Sequence, residues 1–368
     1  MCWEIHTLKH KEDFSAYKNR WDGLNAALCD SNPYFDSDFI ANLLGHFGEG
    51  RELLCMHKSG GTVDGMLIVK PDSWGKWSIF LPAQAQIGAL LVKDAHLLQS
   101  LFAALPGMPW CLDCLCQDPL YGPLTRQPHG LPLIAMDHVR TVNIAIDGGF
   151  EDYWRSRPRK LRQNMGRYQR RLQTAGLDLR LGQISLPAEM PSAIQRYGML
   201  ESSGWKGRKN TAVHSENAQG KFYLDLMADF ARRGKALVYE LYFGDALVAM
   251  RLCVVSEHMM VMLKTAYDEQ YAEYAPGRLL LHAVLANEFK QRRFSDVEFY
   301  TNANADQLAW STHERTIQHF QAFKSPRVKA AYVLASAVRK VFSPKPRPPL
   351  APIGGVDVDD AIGRDRAH

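Results

Sequence analysis

The alternation of apolar and polar positions predicts strands and helices in a mixed order along the chain. In the second half, three consecutive apolar runs have the length of strands: Ala236–Phe243, Ala246–Val255 and Met259–Tyr267. Leu279–Lys290 then has helical spacing with apolar residues on nearly every side, which is typical of a buried helix. A short strand is predicted after it, at Val297–Thr301.

The rest of the chain adds elements on both sides of a Pro- and Gly-rich connection at Gln117–Ile134. The additional predicted strands are Trp3–Leu8, Leu53–His57, Thr62–Val69, Trp77–Leu81, Ile87–Val92, Trp110–Cys116, Val139–Ile146 and Leu177–Ile184. The additional predicted helices are Glu12–Leu28, one around Phe39–Phe47, Ala95–Leu105, Phe150–Thr174, Pro191–Ser203, Phe222–Arg233 and Val328–Phe342. Helices combined with consecutive antiparallel strands indicate an α+β fold and not a doubly wound one.

The turn Tyr274-Ala275-Pro276-Gly277-Arg278 separates the third central strand from the buried helix. Pro276 suits the first helical position, because its φ is already helical and its missing N–H would have no partner there. Gly277 has no side chain, so a ligand can approach the backbone closely. Because free N–H groups and the positive dipole end favour an anion, we predict that this turn holds the phosphate of an acyl-donor cofactor. The alternative is a plain strand-to-helix turn.

The composition bounds the class of protein. The chain has 368 residues, enough for about two domains, and its 46% hydrophobic and 23% charged residues are typical of a soluble globular protein. A net charge of +5 does not indicate general affinity for nucleic acid. Seven cysteines, no apolar run of membrane-spanning length and no signal-like start favour a reducing, cytoplasmic location.

Basic residues are concentrated in the first helix of the second half, without an acid among them: Arg155, Arg157, Arg159, Lys160, Arg162, Arg167, Arg170 and Arg171. Leu161, Met165, Tyr168 and Leu172 form its predicted packing stripe. Like charges at this spacing destabilise a helix, so we predict an anionic partner held by Arg162, Arg167 and Arg170. A solvated basic face is the alternative. Apart from Tyr168 no aromatic residue is interleaved, so a dedicated nucleic-acid module, and DNA as a partner, are not expected.

Four stretches, in this order, carry a resemblance to a known family. They are Leu161-Arg162-Gln163-Asn164 with Arg170-Arg171-Leu172 and Gly176; Glu201-Ser202-Ser203-Gly204-Trp205-Lys206-Gly207; Phe243-Gly244-Asp245-Ala246-Leu247-Val248-Ala249; and Tyr267-Asp268-Glu269-Gln270-Tyr271 with Pro276-Gly277. From about Gly149 to Phe323 the chain resembles GNAT acyltransferases. It is most similar to the GNAT-like family linked to cellulose and exopolysaccharide synthesis, which is related to Fem-type aminoacyltransferases of peptidoglycan synthesis.

This resemblance implies an α+β fold of tandem GNAT-like domains with mixed, mainly antiparallel sheets. Residues 1–148 would form a degenerate N-terminal GNAT-like domain and residues 149–325 the acyltransferase domain. A C-terminal helix at 326–342 and a disordered Pro-rich tail at 343–368 would follow. The Pro-rich composition predicts the disordered tail, and the apolar periodicity predicts the helix.

The resemblance also implies roles for individual residues. Acyl-CoA is the implied donor, with its diphosphate held at Pro276, Gly277, Arg278 and Leu279 and its pantetheine arm beside Lys264 and Thr265. The implied acceptor site contains Trp205, Lys206, Tyr267, Asn302 and Trp310. Acylation of an amine needs a base and an acid; Glu201, Glu240 and Asp306 are candidates for the base, and Tyr300 or Tyr267 for the acid. After Val297 the chain departs from the Gly-x-x-x-Tyr-Lys run of many relatives, which affects the acceptor more than the fold.

No metal site is expected. Cys111-x-x-Cys114-x-Cys116 lacks a fourth ligand at any standard spacing, so buried free cysteines are the favoured interpretation. The Gly-x-Ser-x-Gly motif of hydrolases is absent from the sequence. The last predicted helix has basic ends and an apolar centre, which leaves either a peripheral membrane contact or docking on its own domain open.

The sequence therefore predicts a cytoplasmic N-acyltransferase that moves an acyl group from acyl-CoA to an amine of a sugar, lipid or amino-acid-derived acceptor. Exopolysaccharide or cell-envelope synthesis is the implied setting, with a small-molecule or glycan- or lipid-linked acceptor. One alternative is Fem-type aminoacyl transfer from charged tRNA to a cell-wall precursor. Fem-type proteins often carry a coiled-coil arm, however, and this sequence has no heptad run that would form one. Another is a non-catalytic protein that binds a glycan or a partner.

Overall fold

The computed structural model describes residues 2–125, 130–203 and 217–342. They form two compact units: the described residues up to 140 together with those from 315 onward, and the described residues of 141–314. The chain leaves the first unit within strand β7 (Leu133–Ala145) and returns to it within β13 (His313–Phe323). The domain boundaries near 148 and 325 stay a prediction.

The first unit contains a sheet in which β1, β2, β3, β4, β6 and β13 are successive neighbours, with β5 paired to β3. All of these pairs are antiparallel except β4 with β6. Its strands are β1 (Cys2–Leu8), β2 (Glu52–Ser59), β3 (Thr62–Ser73), β4 (Lys76–Ile79), β5 (Leu90–Val92) and β6 (Cys111–Gln117). Its helices are α1 (Lys18–Cys29), α2 (Ser37–Phe47), α3 (Leu97–Ala104) and α10 (Pro326–Phe342).

The second unit has a sheet in which the end of β7 is followed by β12, β11, β10, β9 and β8. Its strands are β8 (Leu179–Ile184), β9 (Ala236–Phe243), β10 (Ala246–Val255), β11 (Met259–Tyr267) and β12 (Asp296–Glu298). Its helices are α4 (Phe150–Ser156), α5 (Arg159–Thr174), α6 (Met190–Ser203), α7 (Ala218–Arg232), α8 (Pro276–Gln291) and α9 (Ala305–Trp310). The three central strands predicted from the sequence are confirmed.

The buried helix is also confirmed. Pro276 occupies its first position, and its buried residues include Leu280, Val284 and Leu285. They pack in the core of the second unit with apolar side chains of β9, β10 and α5. Because one helix side contacts the sheet and another contacts α5, apolar residues are needed nearly all round it.

Several predicted elements differ in extent from the observed ones: the helix predicted at Glu12–Leu28 begins as a 3-10 segment, and the strand predicted at Val139–Ile146 spans Leu133–Ala145. Two further differences lie in the second unit. The helix predicted at Phe150–Thr174 is interrupted at Arg157 and Pro158, because proline disfavours helical φ/ψ in the residue before it and lacks the N–H that a continuous helix needs. The strand predicted at Val297–Thr301 ends at Glu298. Two further elements, α9 and β13, are absent from the sequence prediction.

Within the described residues, no helix is both long enough and apolar enough to cross a membrane. All seven cysteines are free thiols, and Cys111, Cys114 and Cys116 are buried. Burial raises the pKa of each of these three thiols, so they are protonated and unreactive at neutral pH.

Candidate functional site

Strands β11 and β12 separate shortly after they meet. They pair in parallel over three residues each, Met259–Val261 with Asp296–Glu298. Beyond this point β11 continues to Tyr267, paired with β10, while the chain after β12 turns away. In the described part of the chain, no strand pairs with the other edge of residues 262–267, and an extended ligand can lie along such an edge. We call this opening the notch.

Tyr300 lies where the chain leaves β12, and it is buried with a φ of 52°. A tyrosine in the left-handed region is strained, and such residues are concentrated at functional sites. The backbone conformation therefore singles out this position at the notch. The hydrophobic periodicity of the sequence does not predict this left-handed conformation.

The first turn of α8 follows the end of β11 after a short 3-10 segment, Glu269–Tyr274. The N–H groups of Arg278 and Leu279 both donate to the carbonyl of Ala275, at 3.0 and 3.1 Å. Pro276 has no N–H, and the position of the Gly277 N–H leaves it without a partner inside the helix. A Cβ added at Gly277 would meet no heavy atom of the described chain within 4 Å, so its surroundings are open.

A cavity of about 480 Å³ lies next to this turn. Its lining comes from the N-terminal parts of α5, α8 and α9 and the residues just before α5 and α9: Pro158, Lys160, Leu161, Asn164, Arg278, Asn304, Ala305, Asp306 and Ala309. The two long helices, α5 and α8, direct their positive dipole ends at it, and Lys160 and Arg278 add two cations against one carboxylate. The cavity is therefore suited to an anion.

Arg278 is held in place from two sides. Its Nη2 lies 3.0 Å from Oδ1 of Asp306, and its Nη1 donates to the hydroxyl of Tyr168 at 2.9 Å. The side chains of Arg278 and Asp306 are 16% and 18% exposed. Burial raises the pKa of Asp306, and the charge of Arg278 opposes that shift. Asp306, predicted as a base, thus contacts the cation that lines the cavity.

Helix α5 has one side directed at α8. At about 100° per residue, Lys160, Asn164, Arg167 and Arg171 share a narrow sector, and Arg162 and Arg170 project from other sides. Nη1 of Arg171 donates to the carbonyl of Glu273, just before α8, at 2.8 Å. The predicted packing stripe is confirmed, since Leu161, Met165, Tyr168 and Leu172 are buried. Of the predicted anion-binding residues, Arg167 lies in this sector.

Sequence reasoning missed Lys160, Asn164 and Arg171 as site residues. A signal for them exists in the sequence. Their positions flank the apolar stripe on one side, so a helical wheel drawn from Leu161 and Tyr168 groups them together and places Arg162 on the other flank. The helical wheel does not show which neighbouring element this side of α5 faces.

Glu201 and Lys264 form a separate buried cluster with α6 and α7. Nζ of Lys264 lies 3.9 Å from Oε1 of Glu201, and both side chains are almost fully buried. The hydroxyl of Tyr197 donates to the same carboxylate at 3.4 Å, and the ammonium lies over the ring of Tyr223. Neither Glu201 nor Lys264 lines the cavity.

The other predicted residues are dispersed. The hydroxyl of Thr265 accepts a hydrogen bond from Nε of Arg251 at 2.9 Å. Tyr267 packs half-buried against the core, and Asn302 is exposed. Trp310 is fully buried in the core and is not among the cavity-lining residues. Trp205 and Lys206 lie outside the described residues.

His282, on α8, provides a pH-dependent contribution to stability. Its ring meets Trp154 edge-on at 4.7 Å, and burial lowers the pKa of this histidine to about 4. The folded-state pKa is below the unfolded one, so this contribution is complete above about pH 6.5 and is lost as the pH falls towards 4. We expect His282→Phe to reduce the acid destabilisation by on the order of 2 kcal/mol, measured by urea unfolding at pH 7 and pH 5. If His282→Phe and the wild type lose the same free energy of unfolding between pH 7 and pH 5, the prediction is contradicted.

Part of the chain matches a known protein family. Residues 159–310 match the family of acetyltransferase (GNAT) domains, a segment that contains the notch, α8 and the cavity. The GNAT domain makes this protein an acyltransferase. Its fold class is α+β with mixed, mainly antiparallel sheets, as predicted, and the GNAT match lies in the second unit, whereas the N-terminal GNAT-like domain stays a prediction.

Solved structures share the fold at low identity. A conserved protein of unknown function from Bacteroides thetaiotaomicron VPI-5482 is 10% identical, with a TM-score of 0.53 over 84% of this chain and 97% of that one. FemX is 9% identical, with a TM-score of 0.50, 77% of this chain and 89% of its own being covered. A tandem GNAT protein of the clavulanic acid biosynthesis pathway is 15% identical, with a TM-score of 0.44 over 88% of this chain and 99% of that one. No curated protein matches the chain.

Proposed function

We propose that the GNAT domain transfers an acyl group from acyl-CoA to an amine of a sugar, lipid or amino-acid-derived acceptor in exopolysaccharide or cell-envelope synthesis. The observation that carries this proposal is the notch between β11 and β12, which opens beside the first turn of α8. An extended pantetheine arm fits the backbone edge at residues 262–267. A diphosphate fits the cavity next to that turn.

The diphosphate would meet three kinds of donor. These are the Gly277 N–H, the guanidinium of Arg278 and the ammonium of Lys160. Charge-assisted hydrogen bonds to phosphate are the strong ones, and a helix N-terminus adds to them. Asp306 has a positioning role in this proposal, because its carboxylate holds the guanidinium of Arg278 at the cavity.

In the reaction, the acceptor amine attacks the thioester carbon, the C–S bond breaks, and the thiolate takes up a proton. Tyr300, at the root of the notch, is the proposed acid for the thiolate. Glu201 is the proposed base for the ammonium proton, acting through water. Trp205, Lys206, Tyr267 and Asn302 are proposed for the acceptor.

A second candidate function rests on the outer sides of α5. Arg162 and Arg170 are exposed there and point away from the sector that faces α8. They suit the phosphates of a charged tRNA, as in Fem-type aminoacyl transfer. Retention of charged tRNA that weakens with salt and is lost when Arg162, Arg167 and Arg170 become Ala would favour this function.

Thermal shift tests the donor. Free CoA or acyl-CoA at a hundredfold excess over its dissociation constant should stabilise the protein by about 2.7 kcal/mol. Gly277→Val should remove this shift, because the added side chain occupies the open space in front of the helix. Because Gly277 itself is buried, urea unfolding of Gly277→Val without ligand must accompany this test, so that a loss of binding is separated from a loss of stability.

Gly23→Val is the matched control. Gly23 is an exposed glycine of helix α1 where an added Cβ also meets no heavy atom of the described chain within 4 Å. This variant should keep the full shift with CoA. Binding that persists in Gly277→Val would show that the turn is not the phosphate site. Absence of any shift with CoA and its esters at millimolar concentration would rule out the coenzyme.

A further inference from the structure

The C-terminal helix α10 is anchored to the first unit along one side. The hydroxyl of Ser325 accepts a hydrogen bond from the N–H of Val328 at its start. Tyr332 packs its ring against Phe323 and Trp110, at centroid distances of 5.1 and 5.9 Å. These contacts fix which side of the helix faces the protein.

The opposite side of α10 is apolar and exposed. At about 100° per residue, a sector of about 140° contains Arg327 at the start of the helix and then only apolar residues: Ala330, Val333, Leu334, Ala337 and Val338. Leu334 is 68% exposed, and Val333 and Val338 are 48% and 47% exposed. We call these five residues the outer face. A surface helix normally directs its polar side to water, so this orientation is the reverse of the usual one.

Along the chain on both sides of the outer face, charge has one sign. Neither Asp nor Glu occurs between Arg315 and Val356, whereas Lys and Arg recur throughout that stretch. Lys324 and Arg327, just before and at the start of α10, are exposed. Apolar residues bordered by basic ones are complementary to a surface that combines hydrocarbon with negative charge.

The composition separates a membrane from a protein partner. Protein interfaces are enriched in aromatic residues, Met and Arg and depleted of Ala and Lys, whereas the outer face consists of Ala, Val and Leu and contains no aromatic residue or Met. Trp74 and Met108 are 76% and 65% exposed on loops next to Trp110, the residue on which Tyr332 packs. Exposed Trp residues are typical of interfacial anchors.

We infer that α10 lies in the surface of an anionic lipid bilayer, with the outer face in the acyl-chain boundary and the basic residues at the headgroups. The occupant is a lipid surface carrying negative charge. The helix would attach the first unit to the membrane, so this inference does not depend on the donor or acceptor of the GNAT domain.

Vesicle co-sedimentation of the full chain tests it. Wild-type protein should sediment with vesicles of phosphatidylcholine and phosphatidylglycerol, and more weakly with phosphatidylcholine alone or at high salt. Leu334→Glu should lower the partition about tenfold, because an apolar side chain is lost from the boundary and a negative charge is added. Ala335→Glu is the matched control: it adds the same charge at an exposed neighbour outside the outer face and should retain most of the binding.

Three results would overturn the inference. They are no sedimentation of the wild type with anionic vesicles, equal loss in Leu334→Glu and Ala335→Glu, and a wild-type dimer in sedimentation velocity that Leu334→Glu converts to monomer without vesicle binding. The last of these would assign the outer face to a second copy of the chain. A blue shift of Trp fluorescence on vesicle addition that is smaller in Trp74→Ala would support contact of Trp74 with the bilayer surface.

Discussion

Arg278→Ala is expected to weaken the binding of acyl-CoA about 10- to 100-fold. The guanidinium borders the cavity with few degrees of freedom, because Asp306 and Tyr168 both hold it. A hydrogen bond to a charged group contributes roughly 1.5–3 kcal/mol, which corresponds to this range. Isothermal titration with free CoA measures the effect directly. In steady-state kinetics the loss should be seen as a raised KM for the donor, with a smaller change in kcat.

Removal of Arg278 also leaves the mostly buried carboxylate of Asp306 without this cation, so a stability loss must be separated from a binding loss. The double variant Arg278→Ala/Asp306→Ala removes both charges. It should recover stability relative to Arg278→Ala and still bind CoA weakly. Arg162→Ala is the matched control, because Arg162 is an exposed arginine on another side of α5. If the double variant binds as tightly as the wild type, Arg278 does not hold the donor.

The second large effect concerns folding. Lys264→Met should destabilise the protein by about 3–5 kcal/mol, because the buried carboxylate of Glu201 loses the ammonium beside it. Lys264→Met/Glu201→Gln should regain much of that loss, since no uncompensated charge remains. Denaturant unfolding of the wild type, both single variants and the double variant gives the coupling energy.

Lys221→Met provides the reference for this series. Lys221 is an exposed lysine of α7, so the same substitution there should change the stability by no more than ~0.5 kcal/mol. A loss in Lys264→Met no greater than this value would contradict the buried pair. If the double variant is stable but inactive, the pair has a function beyond stability, which agrees with Glu201 as the proposed base.

The predictions that succeeded rest on local rules. Pro276 is at the first position of a buried helix because its fixed φ and missing N–H suit that place. The strands at Ala236–Phe243, Ala246–Val255 and Met259–Tyr267 follow from unbroken apolar runs. The helix break at Pro158 obeys a local rule as well. However, the spacing of basic and apolar residues continues across Pro158, and this spacing by itself predicts one uninterrupted helix.

The placement of the site residues does not follow from local rules. Asp306 and Arg278 are separated by a helix and a strand in the chain, and their 3.0 Å contact exists because the first turns of α8 and α9 meet. Glu201 and Lys264, assigned to different roles from the sequence, contact each other in the core. Trp310 was predicted at the acceptor, yet it lies in the core because α9 turns its indole inward.

The sequence by itself determined the α+β class, the central strands, the buried helix and the start of that helix at Pro276. Each of these depends on periodicity, on the geometry of Pro and Gly, or on the apolar content of one segment. The tertiary structure alone decided that β11 and β12 separate after three residue pairs, and that Lys160 and Arg278 share a cavity. It also decided that the apolar side of α10 faces outward. These features depend on which segments pack together, and the spacing of residues along one chain does not contain that information.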